Sequence, residues 1–182
     1  LSNQKAKNLE TSLNSLQQKD KQINNINDAI SKSDSIKLAT LTIFKNVVGS
    51  EAKIAVKNGA VILTVANTTL FGDDDKSVTV EEKAKGLLER IANALNSKPD
   101  LKIIVEGNSN ALNFKDKSTI DNWDLSARQA ASVIRILQNE YKVDPKRMEV
   151  LGKSEYGSQS IETSTRIIID PKFDEFYNLV KE

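Results

Sequence analysis

Cysteine and histidine are both absent from the 182-residue chain. Without cysteine, disulfides and thiolate metal sites are excluded, and without histidine so are imidazole acid–base catalysis and histidine-ligated zinc. The acidic run at residues 73–75 lacks the spaced ligands of a calcium loop and predicts a solvated turn instead. No phosphate-binding loop or nucleophile–base set is recognisable. We therefore expect a protein that is not an enzyme and needs no cofactor or metal.

An excess of charge of one sign and long apolar runs are also missing. Twenty-six basic and 25 acidic residues leave a net charge of +1, so no strong field favours nucleic acid or an anionic membrane. No apolar run approaches the roughly 20 residues that a membrane-spanning helix needs. The first ten residues are too polar for a signal peptide. The sequence predicts neither a nucleic-acid partner nor a transmembrane segment.

Residues 1–48 are predicted to form a helical stalk. Leu9, Leu16, Ile23 and Ile30 recur every seven residues, which is one stripe of a coiled-coil seam. Two interpretations stay open: a coiled coil that makes a homo-oligomer, and a single amphipathic helix packed on its own domain. The complementary stripe turns polar halfway along; its members are Ala6, Leu13, Asp20 and Asn27.

Residues 49–182 have the pattern of a separate α/β domain. Two β-branched runs flank Asn58-Gly59, a pair that suits the positive φ angles of a type I′ turn and so predicts a hairpin. The apolar periodicity then gives the element order β-β-α-β-α-β-β-α, ending in a short helix at 173–181. This order predicts an α/β (α+β) sandwich, with a mixed sheet and helices on one of its faces.

Local signals predict where the helices begin. A turn-rich piece is expected at 67–78, and Thr79 with Glu82 three residues later forms a capping box, so a helix should open at Thr79. The next helix should begin near Asn122, with Asn122 or Ser126 as its cap. Free backbone N–H groups at that start would alternatively favour an anionic ligand group.

The stretch from Gly107 to Ala130 resembles a family motif. It has G-N-S-N at 107–110 and N-W-D-L-S-A-R-Q-A at 122–130, where the OmpA/Pal/MotB peptidoglycan-associating domains have G-H-T-D and N-x-x-L-S-x-x-R-A. The helix and the longer loop before it are similar to the MotB-like branch. Phe71 and the turn at 154–157 also fall at family positions. The resemblance implies an OmpA-like domain over residues 49–182 that acts in envelope anchoring or assembly.

The resemblance also implies a pocket for the diaminopimelate of a peptidoglycan stem peptide. In the family, the Asp of G-H-T-D takes its ammonium group and the Arg of L-S-x-x-R-A takes its carboxylate. The aligned residues here are the neutral Asn110 and Gln129. Arg128 is one position early, about 100° round the helix, and Arg166 would supply the remaining positive charge. The predicted pocket residues are Ser109, Asn110, Asn122, Leu125, Gln129 and Arg166.

The two neutral amides predict that peptidoglycan binding is weakened, altered or lost. A charge-assisted hydrogen bond contributes about 1.5–3 kcal/mol, so losing two corresponds to roughly two to four orders of magnitude in affinity. The alternative is a protein-interaction scaffold in an envelope complex, with an unused pocket and oligomerisation through residues 1–48. For both, the resemblance implies a periplasmic, outer-membrane-associated location, with a lipid anchor upstream of the sequence as a further alternative.

Overall fold

The structure is a computed structural model that describes residues 2–115, 118–157 and 163–171. The predicted helix at 173–181 lies outside these residues. The described residues divide into two compact units, one of residues 2–36 and one of residues 37–171.

The first unit is helical throughout. Helix α1 runs from Ser2 to Val48 and so continues into the second unit, which confirms the helix predicted for residues 1–48. It ends before Gly49, whose φ of +53° suits a left-handed residue after a helix. The predicted stripe lies on the surface, where Leu9 is 75% exposed. In the described part of the chain, no helix is long and apolar enough to cross a membrane.

The second unit is a mixed five-stranded sheet with helices packed on it, which confirms the predicted fold class. The strand order is β1-β2-β5-β3-β4, so β1 and β4 are the edges of the sheet. The pair β3 and β4 is parallel, and the other neighbouring strands are antiparallel. The elements after α1 are β1 (Lys53–Lys57), β2 (Ala60–Ala66), α2 (Asn67–Phe71), α3 (Glu82–Ser97), β3 (Leu101–Gly107), α4 (Asn122–Asn139), a 3-10 turn (Pro145–Arg147), β4 (Met148–Gly152) and β5 (Ser164–Pro171).

The predicted hairpin is confirmed at β1 and β2. Asn58 and Gly59 have φ angles of 51° and 80°, and Lys57 pairs with Ala60 across the two-residue loop. Such a turn matches the twist of the flanking strands, and asparagine and glycine tolerate its positive φ angles. This loop fixes the register of β1 on β2.

One face of the sheet carries the core. Along β2, buried residues alternate with half-buried ones, as expected for a strand with one face covered. Leu63 pairs with Ile167 of β5, which in turn pairs with Val105 of β3, so buried aliphatic side chains form rows across the sheet. Helices α3 and α4 cover this face of the sheet. Their side chains in the core are those of Leu87, Leu88, Ile91, Leu95, Ala130, Val133 and Leu137.

The last turns of α1 belong to this core. Phe44 and Val48 are fully buried and pack in the same cluster as the sheet residues. The end of the helix thus supplies side chains to the core of the second unit. The predicted domain boundary between residues 48 and 49 stays a prediction. Arg90 on α3 fixes this end further, since its Nε donates to the Val47 carbonyl at 3.1 Å.

Two local predictions were wrong. Residues 67–71 form the short helix α2 rather than turns, and α3 begins at Glu82 with Glu81 as an N-cap residue that makes no side-chain capping bond. The capping box at Thr79 is absent because the chain before α3 is held by α2: the Glu81 N–H donates to the Leu70 carbonyl at 2.7 Å. Tertiary contacts therefore override the local helix-start signal.

Replacing Phe44 with alanine should lower the free energy of unfolding by about 3–5 kcal/mol, because it opens a cavity in the core. Leu38→Ala, in the same helix but at an exposed position, is the matched control and should change it by less than about 1 kcal/mol. Urea denaturation followed by circular dichroism measures both. Equal losses in the two variants would mean that the helix end is not part of the core.

Candidate functional site

The candidate site forms where the end of β3 meets the start of α4. A Cβ atom on Gly107 would lie 2.0 Å from the backbone oxygen of Ser126, so only glycine lets the strand end approach the helix this closely. The chain then continues through Asn108 and Ser109, both buried. This close packing brings residues 108–110 beside the first turns of α4.

Gln129 lies at the centre of a buried hydrogen-bond network. Its side chain is 1% exposed. The Oε1 atom accepts from the Ser109 hydroxyl at 2.6 Å and from Asn67 Nδ2 at 3.4 Å, while Nε2 donates to the Ser77 carbonyl at 2.9 Å. The amide thus joins α4 to the end of β3, to α2 and to the segment before α3. Ser109 and Gln129, both predicted pocket residues, thus contact each other directly.

Asn67 is part of this network and was missed by the sequence analysis. Its Nδ2 donates to the Asn108 carbonyl at 2.8 Å, and its Oδ1 accepts from the Thr165 hydroxyl at 2.9 Å. The side chain therefore bridges three strand ends, those of β2, β3 and β5. The available signal for a site residue was the position of Asn67, a polar residue directly after the apolar strand β2. The residues that follow it were typical of a turn, so Asn67 was assigned to that turn.

Arg166 does not present a free charge to the site. Glu106 and Arg166 are cross-strand partners, and Arg166 Nη1 donates to Glu106 Oε1 at 3.1 Å and to the Gly157 carbonyl at 3.0 Å. Glu106 is buried and also accepts from Asn108 Nδ2 at 3.1 Å. The positive charge of Arg166, which was predicted to serve the pocket, is thus balanced by the carboxylate of Glu106. Glu106 was not among the predicted pocket residues.

The remaining predicted residues lie at different depths. Leu125 is fully buried, and Asn110 is exposed. Asn122 is half-buried, and its Nδ2 donates to the Ala111 carbonyl at 3.1 Å and to Glu155 Oε2 at 2.9 Å. Asn122 and Arg166 therefore both contact the turn at residues 154–157, which ties the two sides of the site together.

The start of α4 is capped by Asp121, so the prediction of Asn122 or Ser126 as the cap was wrong. Asp121 Oδ1 accepts from the Asp124 N–H at 3.0 Å. Arg128 Nε donates to Asp124 Oδ1 at 2.8 Å, which together with the Ile120 N–H lowers the pKa of the Asp124 carboxyl. Arg128 is exposed, on a different side of the helix from the buried Gln129, and its charge is used on the surface.

The acidic run at residues 73–75 forms a turn. The Asp74 carboxylate accepts from the Lys76 N–H at 3.0 Å, and the Asp75 carboxylate pairs with the Lys76 ammonium at 2.9 Å. Within the ranges that the structure describes, no three acidic side chains come together in a group that could hold a metal ion. The run thus stabilises the loop before α3.

Comparisons with known proteins agree on one family. The model of the OmpA family matches residues 71–167. Motility protein B of Bacillus subtilis (strain 168) is 26% identical over 95 residues, which are 52% of this chain and 36% of that protein, so the match spans about a third of the relative's length.

Solved structures of other proteins share the fold. A putative MotB-like protein from Desulfovibrio vulgaris superposes with a TM-score of 0.68 at 16% identity, over 78% of this chain and 95% of that one. The cell wall anchor of the type VI secretion system (T6SS) from Pseudomonas aeruginosa gives a TM-score of 0.58 at 20% identity, over 71% and 94%. At these identities the likeness shows the fold alone.

Replacing Gln129 with alanine should destabilise the chain by roughly 2–4 kcal/mol, because the buried Ser109 and Asn67 side chains and the half-buried Ser77 carbonyl would each lose a partner. Gln138→Ala, at an exposed position on the same helix, should have an effect within about 0.5 kcal/mol. Thermal unfolding of both variants checks this. A Gln129→Ala protein as stable as Gln138→Ala would contradict the network.

Proposed function

Because the chain belongs to the OmpA family, whose members are non-enzymatic, peptidoglycan-associating envelope domains, we propose that it anchors or assembles an envelope structure through a pocket with altered ligand preference. The family match covers the strand ends and the helix start that build the candidate site. One of the solved structures that share the fold is a cell wall anchor, which supports an anchoring role for this chain.

The observation that carries the altered preference is that Gln129 and Arg166, the two residues expected to meet the ligand's charges, are both engaged within the protein. The Gln129 side chain is engaged at both its oxygen and its nitrogen, and the Arg166 charge is balanced by Glu106. A zwitterion such as diaminopimelate needs one free charge of each sign, and each such charge-assisted bond is among the strong polar contacts. A pocket whose central amide and charge are already paired within the protein would therefore bind the ordinary stem peptide weakly.

The proposed location is the periplasm, on the cell-wall side of the envelope. We also propose that the chain is associated with the outer membrane and held there by a lipid anchor, as the family resemblance implies. Both suit a domain that would reach peptidoglycan while held at a membrane.

A second candidate function is that of a scaffold subunit that self-associates through α1. The observation in its favour is the row of exposed apolar side chains at Leu9, Leu16, Ile23 and Ile30 on a confirmed helix. Large aliphatic side chains at a seven-residue spacing are what a second helix packs against in a coiled coil. In this case the pocket would be unused and envelope proteins would be the partners.

A titration with a diaminopimelate-containing muropeptide tests the altered preference. We expect the native chain to bind at least about a hundredfold more weakly than the double variant Asn110→Asp, Gln129→Arg, which restores both family charges. Isothermal titration calorimetry gives both affinities, and circular dichroism shows whether the double variant is folded.

The single variant Asn110→Asp is the control, because it changes an exposed residue and leaves the Gln129 network intact. It should bind no better than about tenfold above the native chain, since one charge cannot satisfy both ends of the zwitterion. Micromolar binding by the native chain would contradict the proposal of weakened recognition.

Sedimentation equilibrium tests the scaffold function. If α1 self-associates, the native chain should be oligomeric at high micromolar concentration, and Leu16→Ser with Ile23→Ser should make it monomeric by removing the centre of the seam. Leu38→Ser, exposed but outside the stripe, is the matched control and should stay oligomeric. A native chain that is monomeric at that concentration excludes the scaffold function through α1.

A further inference from the structure

Beside the candidate site, two aromatic side chains lie together on the surface. Trp123 is 53% exposed and Tyr156 is 73% exposed. Their ring centroids are 5.8 Å apart, and the ring planes are tilted by 37°. Large aromatic side chains are normally buried or in contact with a ligand, and adjacent exposed ones commonly mark a binding surface. We call Trp123 and Tyr156 the aromatic pair.

Both members of the aromatic pair lie on backbone that is fixed by hydrogen bonds. Trp123 is in the first turn of α4, where its carbonyl accepts from the Ser126 hydroxyl at 3.1 Å. The turn that carries Tyr156 is fixed at Ser154, whose N–H donates to Ser126 Oγ at 3.1 Å and whose carbonyl accepts from the Ser109 N–H at 2.9 Å. A surface ordered in advance loses little conformational entropy when it binds.

The aromatic pair is continuous with the candidate pocket. Asn122 precedes Trp123, Glu155 precedes Tyr156, and the side chains of Asn122 and Glu155 are hydrogen-bonded to each other at 2.9 Å. Gly157, which follows Tyr156, accepts from the pocket residue Arg166. A molecule that fills the pocket and extends outward would therefore meet the two rings next.

From this arrangement we propose that the aromatic pair binds the glycan strand of peptidoglycan, as a subsite beside the one for the stem peptide. The inference rests on the proposed function, because a stem peptide is covalently attached to the N-acetylhexosamine chain. Aromatic rings offer apolar faces to the C–H faces of sugar rings, and the exposed Glu155 carboxylate offers an acceptor to sugar hydroxyl and acetamido N–H groups.

The charges around the aromatic pair favour a neutral polymer. Asp121, Asp124 and Glu155 lie within two residues of a ring, and Arg128 is paired with Asp124. The described residues within two positions of either ring include no lysine or arginine to attract phosphate groups, so a nucleic acid or a polyanionic wall polymer fits poorly. A glycan strand whose carboxyl groups are all amide-linked to peptides carries no such charge.

The test uses chitotetraose, a peptide-free oligomer of β-linked N-acetylglucosamine, as the probe. Trp123 is the one tryptophan in the sequence, so its fluorescence reports on the aromatic pair alone. We expect a saturable change in emission with the native full chain, and an affinity at least about tenfold lower in Tyr156→Ala. Tyr156→Phe should keep most of the affinity because it keeps the ring.

Val56→Ala is the matched control, since Val56 is 47% exposed on β1, at the opposite edge of the sheet from β4; it should bind like the native chain. Trp123→Ala, measured by calorimetry, should also lose at least about tenfold. Failure of the native chain to bind chitotetraose, or unchanged binding by both alanine variants, would overturn the inference.

A separate titration with a sugar-free stem peptide distinguishes this inference from the proposed function. Chitotetraose binding without stem-peptide binding, even in the charge-restored double variant, would support the aromatic subsite and count against the pocket. Stem-peptide binding without any response to chitotetraose would leave the pocket standing and overturn the glycan subsite. Binding to an envelope protein that is lost in Trp123→Ala, without chitotetraose binding, would likewise overturn it.

Discussion

The candidate site depends on how closely β3 can approach α4. Gly107 is the residue that permits this approach, since any Cβ there would collide with the Ser126 backbone. Because the strand end and the helix touch, Ser109 reaches Gln129 and Ser154 reaches Ser126. The turn that carries Tyr156 is therefore positioned by the same contact as the pocket. The absence of a side chain at Gly107 therefore sets the geometry of the pocket and of the turn that carries Tyr156.

Hydrogen bonds and an ion pair among buried and half-buried side chains determine the stability and the ligand preference of the site. Buried polar groups are costly unless they are hydrogen-bonded, and here Asn67 on α2 bonds to both Gln129 on α4 and Thr165 on β5. The same holds for the charged pair of Glu106 and Arg166. A network completed in this way stabilises the fold around the site, and it offers an incoming zwitterion few unpaired partners. Stability and ligand preference are thus linked through the same side chains.

The sequence predicted the elements whose signals are local or periodic. The α1 helix, the Asn58-Gly59 hairpin and the apolar strands follow from spacing and turn chemistry, and the family motif added their arrangement. The sequence did not predict the cap at Asp121, because several adjacent polar residues could have served as the cap. Nor did it predict α2, because that helix depends on partners distant in the chain. The role of Glu106 was missed for the same reason: its pairing with Arg166 spans 60 residues.

The edge strand β1 has a further consequence for a protein that would be concentrated at a surface. An edge strand exposes unpaired backbone groups that can recruit the edge of another molecule. β1 is only five residues long and has a lysine at each end, Lys53 and Lys57. Two such strands meeting antiparallel would bring like charges together, so crowding would not drive the sheets to join. At this edge of the sheet, each copy thus keeps its own strand pairing even where the domains are packed densely.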